Sequence, residues 1–175
     1  MSSRGIGRRT AALAVVALLG TSAFALAAGG ARAQSDVQKS TITVQLTSSQ
    51  TVLEEVGRGG EITYGWNQLE GEAASESGDV SVTMLGNVQY TDGQGPFFGF
   101  LTLEYASLST LGLRIVTGEA ATQPDGSTDF TAKLKVIDGT AAMTGATGGG
   151  SVTGSREAAL GSPIEITIKL RLRLS

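Results

Sequence analysis

The chain contains no cysteine and no histidine, and these two absences exclude more chemistry than any motif in it suggests. Without cysteine there can be no disulfide, no thiol nucleophile and no lipid on an N-terminal Cys; without histidine there is no Ser-His-Asp triad; without both there is no Cys/His zinc centre. A domain lacking disulfides must be held by packing alone. Any catalysis would rest on carboxylates, hydroxyls, Tyr, Lys, Arg or an oxygen-bound metal. Asp125 and Asp138 each precede a glycine in a turn, where hydrogen bonds to their own backbone explain them, so no metal site and no cofactor is expected. Aromatic residues are also scarce: five Phe, three Tyr and one Trp are too few for the two girdles of an outer-membrane barrel.

The first residues carry Arg4, Arg8 and Arg9 and no acid, and an apolar stretch runs from Ala11 to Leu19 and more weakly to Ala28. Ala31-Arg32-Ala33 then supplies the small-x-small pattern that a signal peptidase accepts. This order predicts a cleaved secretory leader over residues 1–33, with the cut before Gln34 and a secreted or extracytoplasmic product. The Arg8-Arg9 pair raises twin-arginine export, but Thr10-Ala11-Ala12 after it is weakly apolar, which favours the general secretory route. Gly20, Thr21 and Ser22 interrupt the run, so it does not read as a membrane anchor. Removing the four leader arginines from 13 basic residues leaves nine against 16 acids, a net charge near −7 on the remaining 142 of 175 residues. That balance argues against nucleic acid as a partner. The length suits one domain, expected over 41–175 after a flexible segment at 34–40.

From Thr41 onward the apolar period is two, and Gly, Pro, Asn and Asp clusters separate the segments. Ile42, Val44 and Leu46 alternate, as do Ile62, Tyr64 and Trp66, and then Val80, Val82 and Met84. Phe130, Ala132, Leu134 and Val136 oppose Lys133 and Lys135. In the last segment Ile164, Ile166, Ile168, Leu170, Leu172 and Leu174 oppose Glu165, Thr167, Lys169, Arg171 and Arg173. Only TSSQTVLEEVG, near residues 47–57, is open to reading as a short helix. About eight strands joined by short turns predict an all-β fold, a small antiparallel eight-stranded barrel, because closure removes unpaired edges. A calycin-type barrel is the alternative.

The most distinctive stretch, LKVIDGTAAMTGATGGGSVTGSR from Leu134 to Arg156, reads as strand, glycine-rich turn, strand. It is not a phosphate loop, because no helical period follows to present its N-terminus. Gly139, Thr140, Gly145, Ala146 and Gly148, with Val136-Ile137 before them and Val152-Thr153-Gly154 after, resemble the glycine signature of the allene oxide cyclase and dirigent-protein superfamily of eight-stranded barrels. Asp138, Ala141 and Met143 stand where that signature has glycine, glycine and an aromatic. The resemblance extends back through YTDGQGPFFGFLTL. It implies a cofactor-free barrel holding an apolar small molecule in its lumen, with cyclisation or orientation of that molecule as the family's activities. No catalytic residue carries over.

Tyr64 and Trp66 share one strand face; Leu101, Leu103 and Tyr105 share another. If these faces point inward they line a lumen, and with Arg114 they are the candidate ligand-cavity residues; the plainer reading is core filling, which eight strands allow. Glu104 lies opposite Tyr105 and is expected to point out. Phe98 and Phe100, on the Glu104 face, suggest an outer surface covered either by the N-terminal segment or by a second copy. The expected function is therefore a secreted barrel that binds a small apolar molecule in its lumen, with cyclisation or orientation of that molecule as the activity the resemblance implies. The competing readings are a structural or surface protein with a solid barrel and, further off, an outer-membrane barrel.

Overall fold

The computed structural model describes residues 37–75, 78–157 and 161–175. The expected leader, its cleavage before Gln34 and residues 34–36 lie outside them. Eight strands run in order: β1 (Val37–Val56), β2 (Ile62–Ser75), β3 (Gly78–Thr91), β4 (Gly95–Tyr105), β5 (Thr110–Thr122), β6 (Thr128–Gly139), β7 (Thr147–Arg156) and β8 (Ile164–Arg173). Every neighbouring pair is antiparallel, and β1 returns to β8, so the sheet is a closed eight-stranded barrel. The first half of β1 pairs with β8, as Ile42 with Ile168, and the second half pairs with β2, as Val52 with Trp66.

The alternation read from the sequence is the alternation of the wall. Ile42, Val44 and Leu46 point in while Thr41, Thr43 and Gln45 point out; β6 repeats the pattern as far as Val136 and β8 along its whole length. Fully burying each such aliphatic side chain contributes about 1.5–3 kcal/mol. Three extra residues bend the wall. The pairing shifts around Ser49 on β1, Val116 on β5 and Ile137 on β6, and a bulge of this kind changes which parity faces the core. On β5, odd residues Leu111, Leu113 and Ile115 are inside before Val116, and even residues Gly118 and Ala120 are inside after it.

Two local expectations change. Thr47–Val56, open to a short helix in the sequence, is the second half of β1, because pairing with β2 satisfies its backbone and Leu53 packs against the core. The strand also starts at Val37 rather than Thr41, since residues 37–40 pair with 170–173 of β8. The glycine-rich turn after β6 closes one end of the barrel. It holds one 3-10 turn, Ala141–Met143, and a buried Ala146. The Asp138 carboxylate accepts the backbone N–H of Gly139 at 2.7 Å and of Gly145 at 3.3 Å, and the Ser109 hydroxyl accepts that of Ala142 at 3.3 Å. Asp125 does the same work in the β5–β6 turn, accepting from the Ser127 N–H and hydroxyl.

Candidate functional site

Towards the end closed by this turn the interior is solid. Ile42, Leu103 and Leu111 are fully buried there, with Leu170 at 2% exposure. Tyr105 packs into the same region, and burial raises its pKa.

The other end is different. A half-enclosed cavity of about 60 Å³ lies among Leu69, Met84, Val88, Phe97, Phe130 and Ile164, with Tyr90 and Arg156 as its most strongly buried polar groups. Gly161 and Ser162, ahead of β8, stand at its side. Arg156 enters it from the inward phase of β7, which runs through Val152, Gly154 and Arg156. The guanidinium donates to the Thr128 hydroxyl at 3.1 Å and lies 5.5 Å from the centre of the Phe130 ring. Such a cation–ring contact strengthens when water is excluded. Phe130 is in turn fixed edge-on against Phe97, with centroids 6.1 Å apart and planes at 83°.

Burial shapes the chemistry of both polar groups. It pushes the Tyr90 phenol up to about 12, with nearby Arg156 lowering that value and Glu119 raising it. It also pulls the Arg156 guanidinium below its ordinary value, with Tyr90 acting the other way. At neutral pH the cavity therefore offers a neutral O–H donor and a cation that an arginine keeps. Asn67 also lines the cavity, but its amide donates to Ser48 at 2.8 Å and its carbonyl accepts from Thr51 at 3.0 Å, so it ties β2 to β1.

Of the residues expected to line a lumen, Leu101, Leu103 and Tyr105 point inward and are buried, and Leu101 borders the cavity. Tyr64, Trp66 and Arg114 do not face the interior. Tyr64 is 48% exposed, and Trp66 lies in an outer groove with Leu85 and Phe100. Arg114 lies in another with Phe100 and Ile137. On β2 the inward parity is carried by Asn67, Leu69, Gly71 and Ala73, so the aromatic alternation Ile62, Tyr64, Trp66 belongs to the outer phase. Arg114 lies opposite the inward Leu113 and Ile115. Glu104 points out, as expected, and Phe98 and Phe100 are about half exposed beside it. The glycine-turn residues sit at the solid end and do not line the cavity, with Gly148 exposed at the start of β7.

Tyr90 and Arg156 were not singled out from the sequence, although a phase signal existed for both. Tyr90 continues Val80, Val82, Met84 and Val88, and Arg156 continues Val152 and Gly154.

No family model, no curated protein and no solved structure matches this chain.

Proposed function

We propose that this protein is an exported binding barrel that seats the polar head of a small, largely apolar molecule at the open end of its lumen. The observation that carries this reading is a buried guanidinium and a buried neutral phenol set together in a largely apolar cavity. Pockets for small molecules have this composition, with apolar walls and a few placed polar groups. The size restricts what enters. A cavity of about 150 Å³ takes a benzene ring, so about 60 Å³ accepts a group the size of a carboxylate rather than a ring. The fitting ligand is a carboxylic acid or a comparable carbonyl compound, its head on Arg156 and Tyr90 and its apolar part towards the mouth.

Arg156 would bind the carboxylate through paired N–H donors. Tyr90, with its proton held to about pH 12, donates a hydrogen bond rather than transferring a proton at neutral pH. The site is thus suited to holding and orienting. Kinship with the allene oxide cyclase and dirigent-like barrels belongs to the same proposal, supported by the eight-stranded closure and the glycine turn.

A solid structural barrel is the second reading, and the small size of the cavity favours it. The outward phase of β8 carries Glu165, Thr167, Lys169, Arg171 and Arg173, the reverse of a lipid-facing band.

Calorimetric titration with short- and medium-chain fatty acids tests the binding reading, alongside native mass spectrometry for a co-purifying molecule. Saturable binding weakened at least about tenfold by Arg156→Met, a loss of about 1.4 kcal/mol or more, is the expected result. No heat with any acid and no co-purifying mass would leave the solid barrel.

A further inference from the structure

The outer wall holds a second feature that the lumen does not need. An open groove of about 820 Å³ lies over β7, and its lining includes Lys39, Lys133, Lys169, Arg171 and Arg173. These are five of the nine basic residues outside the leader of an otherwise acidic chain, and among the described residues no Asp or Glu lines the groove.

The strand register explains its form. One row across the wall runs Thr41 on β1, Lys169 on β8, Ser151 on β7 and Lys133 on β6; the next runs Lys39, Arg171, Gly149 and Lys135. The positive side chains therefore stand on β8 with β1 on one side and on β6 on the other. The outward floor between them is Gly149 and Ser151, which have little or no side chain. Strands lie about 4.8 Å apart, so the two charged walls are about 10 Å apart, and successive outward cations on β8 follow every 6.5–7 Å or so. Lys39 and Arg171 are direct cross-strand partners, and like charges so placed destabilise a sheet. The fold carries this repulsion on a surface where alternating signs were available.

We propose that this trough binds a linear acidic polysaccharide, laid along β7 between the two rows of cations. Its width admits one extended chain. Arginine forks at Arg171 and Arg173 match carboxylates bidentately, and the Thr41 and Ser151 hydroxyls suit sugar hydroxyls. Among the described residues the lining contains no aromatic side chain, and stacking platforms of the kind that hold single-stranded nucleic acid are not among them. A floor recessed between two charged walls does not fit a flat lipid surface.

The test is binding of the full chain to polygalacturonate, with an oligothymidylate and phosphatidylserine-containing vesicles as comparators. Binding is expected at about 20 mM salt and should weaken at least about tenfold by about 200 mM, as counterion release requires. Arg171→Glu on one wall and Lys133→Glu on the other should each weaken it about fivefold or more. Arg58→Glu, the same charge change in the exposed β1–β2 turn, should leave it within about twofold. Ser151→Trp fills the floor without changing charge and should abolish binding; urea melts of each variant establish that the fold is kept. The proposal is overturned by absence of polygalacturonate binding, by equal loss in Arg58→Glu, by normal binding in Ser151→Trp, or by equal or tighter binding of the oligonucleotide or vesicles. It stands or falls separately from the lumen site, which Arg156→Met probes.

Discussion

The two ends of the barrel are built from the same alternating strands, yet one is solid and the other holds a cavity with a cation in it. At the solid end, inward positions carry Leu and Ile on facing strands, and a glycine-rich turn folds over them with Ala146 buried. At the open end, Gly86 occupies an inward position on β3 and borders the cavity, as do Tyr90 and Arg156. The contrast teaches that a barrel of this width is filled or hollow according to a few small residues, with no change in strand number.

Substitutions of one residue type at the two ends should break this contrast most visibly. Leu103→Ala, in the packed half, should cost about 4–5 kcal/mol, because no neighbour can relax into the hole. Leu69→Ala enlarges a cavity already present and should cost about 2–3 kcal/mol. Urea unfolding of the two variants measures this, and equal losses would mean that the open end is packed as tightly as the other.

The phenol at the open end sharpens the comparison through pH. Its pKa is about 12 in the folded chain against 10.0 when unperturbed, so the native state retains a proton that the unfolded state has released. Stability from this group is fully present below pH 10 and is lost as pH rises from 10 to 12, by about 2–3 kcal/mol in all. Tyr90→Phe should flatten the decline. Tyr105, also raised by burial, should retain its own part of it. Denaturant midpoints across that range, in the wild type and the variant, provide the check.

The outer face sets the lower limit of the scale. Lys169→Ala should change stability by no more than about 0.5 kcal/mol, although it adjoins the fully buried Ile168. Trp66, the sole tryptophan, should give the same acrylamide quenching with and without a lumen ligand, because it lies outside the wall. A blue shift on ligand addition would place the ligand on the aromatic outer surface instead.

The closed antiparallel barrel was legible because period two persists along β6 and β8, where Lys133 and Lys135 or Lys169 and Arg171 mark the solvent side. The orientation of β2 was not. Periodicity fixes which residues share a face, and large apolar side chains are ordinarily assigned inward, but here the inward face has Leu69 as its one large apolar residue beside Asn67, Gly71 and Ala73. Arg156 was hidden for the opposite reason: an arginine on an inward phase is expected only when burial is compensated, and Thr128 and the Phe130 ring come from another strand. The basic trough follows from register, which joins residues as distant as Lys39 and Arg171 and leaves no local trace in the sequence.

The seam between β1 and β8 has a further consequence, for how the chain reaches this state. Each of the other pairings joins strands adjacent in the sequence, whereas Thr43 and Thr167, whose hydroxyls meet at 3.0 Å, are 124 residues apart. The hairpins can assemble early, and closure of the seam must come late, since long loops are slow to bring together. Until it closes, the sheet has two open edges, the sites at which unfinished barrels of different copies would join. Lys39 stands on one edge and Lys169, Arg171 and Arg173 on the other, so the β1 edge of one copy meeting the β8 edge of another in the native register brings Lys39 against Arg171. Closure within one chain meets the same repulsion, but its edges are tethered at a high local concentration, and that difference keeps assembly intramolecular.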